Sequence, residues 1–383
     1  MGKLFLFFLV FALCLCGTFQ KNGRGRGRNK VQRNSSEPKP EVAVPRTFIA
    51  DPIIQTNFFS VLNGTQAPLS SYSPPALQSL SNYAAGYLHG PLSTRVIPII
   101  YMLAVAIGIP ANVAILCMLA TKIRKVSSAI LYCSLAVSDL LLLLSLFFKA
   151  HYHFHGNHWV LGEAACRVVT ACFYGNLYCS AQTLACISIK RYLAVVHPFM
   201  YKTLPKRTFT GWVSVAVWGM FVAAMVPELL VQQSYWLPEV DRITCHDVLP
   251  LHHDSHVFLL YYNLFLTVFS LLLPLVITIG CYIRIVCELN RSHLDWVMYI
   301  KASSLVFVIF LVCFTPAGVL HFLHYVQLSA DGTESLYVHF KVAVCLCCIH
   351  ACLDPFLFVL MSKSAGSRLY FSPFKGKTLS LSI

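Results

Sequence analysis

Charged residues are scarce in this sequence. Only 11% of its 383 residues are Asp, Glu, Lys or Arg and 57% are hydrophobic, which excludes an ordinary soluble domain and predicts a membrane protein with several spans. Among the charged residues, the acidic ones are fewer than the basic ones, 15 against 29, and the formal net charge is +14. Because the basic residues lie mostly in short loops between apolar runs, this charge is typical of oriented membrane helices, and we expect no nucleic-acid partner.

Catalytic motifs are also missing from the sequence. It contains no nucleophile elbow, no phosphate-binding loop and no HExxH zinc motif, so we do not expect an enzyme. We find no internal repeat of the span pattern, which argues against a transporter. The CxxC pair Cys345 and Cys348 lies inside an apolar run with no second pair, so it is a poor zinc site.

Seven apolar segments of membrane-spanning length follow one another after residue 95. Because backbone polar groups find no water in lipid, each segment must be a helix. We therefore predict an all-α membrane protein, a seven-transmembrane helix bundle with a disordered extracellular N-terminal arm that is rich in Ser, Pro, Asn and Gly. The predicted spans are 96–119, 128–148, 164–196, 209–230, 258–287, 301–326 and 337–361.

The N-terminus is predicted to be exported. Residues 1–16 have the pattern of a signal peptide, with a signal anchor as the alternative. The following arm carries N-glycosylation sequons at Asn34 and Asn63, which are sensible only in an exported segment. Seven spans then place the short tail, 362–383, inside the cell, and the excess of basic residues in the predicted inner loops gives the same orientation.

Two cysteines stand apart from those buried in apolar runs. Cys166 lies at the outer mouth of the third span, and Cys245 lies in the loop after the fourth. Both are on the exported side, where disulfides persist, so we expect them to bridge and to hold this loop over the bundle. The alternative is two free thiols.

Two carboxylates, Asp139 and Asp354, lie deep within predicted spans. Acids inside a membrane are costly and are therefore candidates for function. With Asn176 and Ser180 of the third span they would form an oxygen-rich cluster suited to a small hard cation such as sodium, and we expect no other cofactor. The open alternatives are a proton shared by the two acids and a hydrogen-bonded brace without an ion.

One motif in each span resembles those of the rhodopsin-like G-protein-coupled receptors. In chain order these are Gly108-xx-Ala111-Asn112, Leu135-Ala136-xx-Asp139, Cys166 with Arg191-Tyr192, Trp218, Pro274 with Tyr282, Phe310-xx-Cys313-Phe314-Thr315-Pro316 and Asp354-Pro355-xx-Phe358. Within that superfamily the chain is similar to the proteinase-activated receptors. The loop 244–249, the stretches 155–159 and 173–176 and the aspartate at 354 carry this second resemblance.

The resemblance implies a plasma-membrane receptor that a thrombin- or trypsin-like serine protease cuts after Arg46. Residues 17–46 would be released, and the new N-terminus at Thr47 would begin a tethered agonist within the arm, 47–95. This agonist comprises Thr47, Phe48, Ile49, Ala50 and Asp51. Its implied pocket comprises Tyr174, His246, Asp247, Leu249, His324, Tyr325 and Tyr337, with Asp247 as a partner for the new ammonium group.

The resemblance also implies coupling to heterotrimeric G proteins through Arg191 and Tyr192. Lys190 stands where the family usually has an acid, so the salt bridge that restrains this arginine at rest is expected to be missing. The residues expected to rearrange on activation are Phe310, Phe314, Pro316, Pro355 and Phe358. Two alternatives stay open: a weakly signalling protease-docking cofactor for another receptor of the family, and a receptor for a diffusible peptide.

Overall fold

The computed structural model describes seven ranges of the chain, all within one compact unit, Glu41–Ile383. These ranges are 48–52, 75–78, 80–120, 127–250, 254–292, 297–331 and 336–370. The predicted signal peptide, the cleavage site at Arg46 and Thr47, and the sequons at Asn34 and Asn63 lie outside the described residues.

Helices dominate the described residues, and six of them are long and apolar enough to cross a membrane. These six are Asn82–Ala120, Ala129–Phe154, Lys206–Leu230, Tyr261–Arg291, Ile300–His324 and Tyr337–Leu360. The 35-residue helix Gly162–Val196 supplies the third span, and it is less apolar because charged side chains such as Glu163 and Arg191 lie at its ends. The chain is therefore the predicted seven-helix bundle, and we number the spans 1 to 7 in chain order.

Span 3 lies at the centre of the bundle. Residues 173–181 are all buried, and because this stretch is longer than two helical turns, neighbouring elements cover the helix on every side. Tyr101 of span 1 packs edge-on against Phe173, with 6.4 Å between ring centroids. Side chains at different heights of this helix can therefore contact both the outer loops and the inner end of the bundle.

Spans 5 and 6 each contain a widened turn before a proline. In span 5 the helix Asp254–Thr267 passes through the π-helical turn Val268–Leu272 into Leu273–Ser292, and Pro274 is the second residue after the turn. In span 6 the helices Val297–Ile309 and Thr315–Asp331 flank the π-helical turn Phe310–Phe314, and Pro316 follows.

A proline has no N–H, so it leaves a carbonyl of the preceding turn without its helical donor. For Pro316 that carbonyl is the one of Val312. The Phe310 carbonyl oxygen, at the start of the widened turn, accepts from the Thr315 hydroxyl over 2.9 Å and from the Thr315 N–H in the i→i+5 bond. Span 7 is interrupted as well, between the helices Tyr337–Cys347 and His350–Tyr370, and Pro355 lies inside the second. Helices bend at irregularities of this kind, so spans 5, 6 and 7 each contain a point at which the helix can pivot.

The expectation that residues 82–95 belong to an unstructured arm was wrong. The helix Asn82–His89 begins where the Ser81 hydroxyl accepts a hydrogen bond from the Ala84 N–H, and it is followed by the π-helical turn Leu92–Val96. Tyr87 and Leu88 of this helix are buried in the bundle. The rest of the arm is rich in small polar residues, and that composition concealed a short segment with apolar side chains to bury.

Short β-strands cover the outer end of the bundle and were not predicted. Strand β1 is Phe48–Pro52 and β2 is Leu77–Gln78, and the two pair antiparallel. The loop after span 4 contains the hairpin of β3, Ser234–Leu237, and β4, Arg242–Cys245, followed by β5, Val248–Pro250. The N-terminal segment 48–52 is thus bound to the extracellular loop through strand pairing.

Candidate functional site

The loop after span 4 is fixed over the bundle by the predicted disulfide between Cys166 and Cys245. Cys245 ends β4, and the next residue, His246, has a left-handed backbone with φ 64°. This conformation is costly for a residue other than glycine, and here the His246 N–H donates to the Gln233 carbonyl oxygen over 2.8 Å. The turn directs the following residue, Asp247, into the bundle.

The Asp247 carboxylate is 2% exposed and accepts three hydrogen bonds from the ends of two spans. Tyr152 of span 2 donates its hydroxyl to Oδ2 over 2.8 Å. From span 7, the Tyr337 hydroxyl and the Lys341 ammonium donate to Oδ1 over 3.2 and 2.6 Å. Burial is the largest single influence and would raise the pKa of Asp247, but the charge and hydrogen bond of Lys341 together with the other basic groups nearby outweigh it, so the pKa is lowered and the carboxylate stays ionised.

Five of the seven predicted pocket residues are connected through this carboxylate and its neighbours. The rings of Tyr174 and His246 have centroids 5.2 Å apart, and His246 directly precedes Asp247. The rings of Tyr337 and His324 are 6.2 Å apart. The other two predicted residues, Leu249 in β5 and Tyr325 in span 6, have side chains outside the described part of the structure.

Sequence reasoning missed the two lysines of this pocket. Lys341 and Lys149 are both buried, at 7% exposure, and the Lys149 ammonium lies 4.8 Å from the centre of the Phe173 ring. A lysine within an apolar run is as costly as an aspartate, so the same argument that selected Asp139 and Asp354 could have found both. It would not have shown that Lys341 is the partner of Asp247.

The predicted tethered-ligand segment lies directly beside the pocket loop. Strand β1 pairs in parallel with β5, with Phe48 opposite Val248, Ile49 opposite Leu249 and Ala50 opposite Pro250. Asp51 pairs on the other edge, opposite Gln78 of β2. The backbone of residues 48–50 therefore lies against the residues that immediately follow Asp247.

The second cluster lies deeper in the bundle around Asp139 of span 2 and Asp354 of span 7. The Ser180 hydroxyl donates to Asp139 Oδ1 over 3.3 Å, as the oxygen-rich cluster requires. Asn176 instead donates its amide to the carbonyl and hydroxyl oxygens of Ser138, the latter over 2.6 Å. Asn176 is thus linked to the cluster through Ser138, whose hydroxyl lies 3.4 Å from that of Ser180.

A histidine that we did not predict completes this cluster. His350 Nε2 lies 3.6 Å from Asp139 Oδ1, and Asp139, His350 and Asp354 each offer one ligand atom within 4.8 Å of the others. His350 precedes Asp354 by one helical turn, so the i, i+4 spacing places both side chains on one face of span 7. That spacing is the signal in the sequence by which this histidine could be found, although it supplies a nitrogen and the predicted cluster contains only oxygen donors.

The predicted switch residues contact this cluster from span 6. The rings of Phe310 and Phe314 are 5.3 Å apart, and the Phe314 ring lies 4.8 Å from that of His350. Pro316 lies in the first turn of the helix Thr315–Asp331, beyond the widened turn. A change in the packing of Phe314 would therefore change the contact of its ring with His350.

At the inner end of span 3, Arg191 is buried and donates to the Tyr132 hydroxyl over 2.9 Å. Lys190, which stands where the family usually has an acid, donates instead to Ser127 and Thr210 over 3.1 and 3.0 Å. Tyr132 in turn packs edge-on against Phe358 of span 7, at 5.9 Å. Another predicted coupling residue, Tyr192, has its hydroxyl 3.0 Å from Nε2 of His197.

Comparison with known proteins gives consistent matches. The family described as "7 transmembrane receptor (rhodopsin family)" matches residues 111–358. Proteinase-activated receptor 3 of Bos taurus is 44% identical over 303 residues, which cover 78% of this chain and 80% of the relative. The Homo sapiens receptor of that name is 40% identical over 367 residues, 93% and 96% of the two chains. Proteinase-activated receptor 1 of Mus musculus is 31% identical over 394 residues, 97% and 90% of the two chains.

Proposed function

This chain belongs to the rhodopsin family of seven-transmembrane receptors and, within it, to the proteinase-activated receptors, and we propose that a thrombin- or trypsin-like serine protease activates it by cutting after Arg46. It is a multi-pass receptor of the plasma membrane, as its apolar helices and its relatives indicate. The cut would free an ammonium group on Thr47, and Thr47 to Asp51 would become a tethered agonist.

The pairing of β1 with β5 carries this proposal. Residues 48–50, which follow Thr47, already pair as a strand with β5, and β5 directly follows Asp247 of the predicted pocket. Recognition through added strands draws its affinity from main-chain hydrogen bonds, which a short segment without proline at the paired positions can supply largely independently of its side chains. Because the segment is covalently attached, its effective concentration reaches about millimolar for a short flexible link, so weak intrinsic binding is sufficient.

The structure argues for a different role of Asp247 from the one implied by the family resemblance. Its carboxylate already holds the Lys341 ammonium at 2.6 Å, and two tyrosine hydroxyls share the same group. A second ammonium, on Thr47, would have to displace Lys341 or lie beside a like charge. We therefore propose that strand pairing provides most of the recognition, and that Asp247 and Lys341 brace the loop against span 7.

The signal would pass from this brace to the inner end of span 3. Span 7 carries Lys341 near its outer end and His350 farther in, and His350 contacts the Phe314 ring of span 6. Phe358 near the inner end packs against Tyr132, which holds Arg191. A shift of span 7 would loosen Tyr132 from Arg191, and Arg191 and Tyr192 would then be available to a heterotrimeric G protein.

The experiment is a G-protein activation assay in cells that express the intact chain, Arg46→Ala or, as the matched control, Arg28→Ala. We expect the protease to activate the intact chain and Arg28→Ala but not Arg46→Ala, and a synthetic peptide that begins at Thr47 to activate all three. Cleavage at Arg46 without any response to protease or peptide would instead identify a docking cofactor for another receptor. A protease response that persists in Arg46→Ala would refute the tethered agonist, and a response to a diffusible peptide unrelated to residues 47–51 would identify a different ligand.

A further inference from the structure

We propose that Asp139, His350 and Asp354 form a binding site for a divalent metal ion of borderline character, of which Zn²⁺ is the probe to use, rather than for sodium. One ligand atom from each residue lies within 4.8 Å of the others, and the three side chains are 0%, 0% and 3% exposed. Ligand atoms around one tetrahedral zinc ion are about 3.3 Å apart, given bond lengths of about 2.0 Å. The pair from Asp139 and His350, at 3.6 Å, is close to that spacing already.

The orientation of His350 supports a metal ligand. Its Nδ1 lies 2.6 Å from the Cys347 carbonyl oxygen, and because a carbonyl only accepts, Nδ1 must carry the proton of this bond. In the neutral ring Nε2 therefore presents its lone pair toward Asp139. Metal-binding histidines in proteins are oriented in this way, with the second ring nitrogen donating to a carbonyl or carboxylate.

Among the described residues, several buried polar atoms of this cluster lack a hydrogen-bond partner. Within the described ranges, His350 Nε2, Asp139 Oδ2 and both carboxylate oxygens of Asp354 have no hydrogen-bond partner, although all are buried. Buried polar atoms are normally satisfied, so this concentration in one place requires an explanation. A bound cation would contact all three side chains at once and would neutralise two carboxylates.

The type of ligand decides between the possible cations. Hard cations prefer sites made only of oxygen ligands, which is the set that Asp139, Ser180 and Asp354 would offer alone. The imidazole of His350 introduces a nitrogen, and imidazole suits zinc, copper, iron and nickel. Ser180 fits the same picture, because its hydroxyl donates to Asp139 Oδ1 and would orient that carboxylate as an outer-shell partner.

The site would join two separate spans of the bundle. Asp139 belongs to span 2, while His350 and Asp354 belong to span 7, and the Phe314 ring of span 6 covers His350. A metal ion would hold spans 2 and 7 together at this depth. This inference does not depend on the tethered agonist, so the two proposals can fail separately.

The test is metal binding by the purified full-length chain in detergent. His151 and His155 need to be removed first, because their rings are 4.1 Å apart near the outer end of span 2 and they offer a second zinc site. In the His151→Asn/His155→Asn background we would equilibrate the protein with micromolar zinc, count retained zinc by elemental mass spectrometry, and record thermal unfolding with zinc chloride and with sodium chloride.

Adding His350→Asn replaces the nitrogen ligand by an amide oxygen of similar reach. We expect it to remove one zinc ion per chain and to weaken zinc-dependent stabilisation at least about tenfold in zinc concentration, since even the loss of an outer-shell partner has that effect. Sodium chloride should raise the unfolding temperature of this variant by more than it raises that of the background protein.

Unchanged zinc content and unchanged stabilisation in His350→Asn would overturn the proposal, as would sodium stabilising the background and the variant equally. If His350→Asn does not fold, Asp139→Asn provides a second measurement that must lose the same zinc ion. Zinc retained by a folded Asp139→Asn protein would place the ion elsewhere and refute the site.

Discussion

Replacing Lys341 by methionine would leave the Asp247 carboxylate buried without its cation, and we expect a large loss of stability. The Lys341 side chain is 9% exposed and that of Asp247 is 2% exposed, so water cannot replace the missing ammonium. Removing one partner of a buried ion pair costs about 3 to 5 kcal/mol. Because the hydroxyls of Tyr152 and Tyr337 still donate to the carboxylate, we expect the lower end, about 3 kcal/mol.

The double variant Lys341→Met/Asp247→Asn separates the loss of the pair from simple loss of packing. It removes the charge that the single variant leaves behind, and replacing both partners of a buried pair is often close to neutral. We therefore expect most of the stability to return. With the single variant Asp247→Asn completing the cycle, the coupling energy should be at least about 2 kcal/mol, within the range seen for residues in contact.

Thermal unfolding in detergent, followed with a thiol-reactive dye, measures this effect because Cys345, Cys347 and Cys348 are buried in the folded bundle. With an unfolding entropy of about 2.1 cal/mol/K per residue, a loss of about 3 kcal/mol corresponds to a lowering of the apparent Tm by about 4 °C for a chain of this size. The control is Lys202→Met at an exposed inner position, where a change within about 0.5 kcal/mol is expected. A Lys341→Met protein as stable as the parent, or a double variant no better than the single one, would refute the reasoning.

Three further predictions concern the inner end, the docking strand and pH. Tyr132→Phe removes the hydroxyl that holds Arg191, so basal G-protein activation in nucleotide-exchange assays should rise several-fold, and an unchanged or lower basal rate would contradict the restraint. A peptide of residues 47–51 with Ile49 changed to Pro loses a main-chain donor and should be at least about tenfold less potent, whereas Ile49→Val, which keeps the donor, should stay close to the parent peptide. Because the pKa of Asp247 is lowered from 3.8, its contribution is complete above that value and is lost only as pH falls below it. In the parent no titration of Asp247 should therefore be seen between pH 5.5 and 7.5. In Lys341→Met the carboxyl is buried without the Lys341 charge, which raises its pKa, so the stability deficit of the variant should be smaller at pH 5.5 than at pH 7.5, and a deficit that grows toward pH 5.5 would contradict this reasoning.

The seven helices were predictable because apolar length is a local property of the sequence. The predicted third span, 164–196, and the helix Gly162–Val196 end at the same residue. The ends of other spans differ more, and the last helix continues to Tyr370, into the predicted tail. Polar residues extend these helices beyond the apolar core, and hydropathy does not register such extensions.

Charged residues inside the spans were predictable one at a time but not as pairs. The cost of burial identifies Asp139 and Asp354 without a structure. Their partners depend on the rotation and height of each helix, and these are set by packing. Asn176 and Ser180 share one face of span 3, yet only Ser180 contacts Asp139, while Asn176 contacts Ser138.

The strands at the outer end could not be predicted from local pattern. Strand β1 has five residues and β5 has three, too few for a period to be recognised, and about two hundred positions separate them in the chain. Their pairing depends on the disulfide and on the turn at His246, which together hold the loop in place. Only the likeness of residues 47–51 to a tethered ligand suggested that this segment and the loop belong together.

The parallel register between β1 and β5 has a consequence for inhibitor design. A strand edge presents donors and acceptors at fixed intervals, and a competitor must match those intervals whatever side chains it carries. An extended, cyclised peptide backbone held in strand form would pay less conformational entropy on binding than a linear five-residue peptide. Chemistry that enforces a straight backbone therefore offers a way to block this receptor without blocking the protease that cuts it.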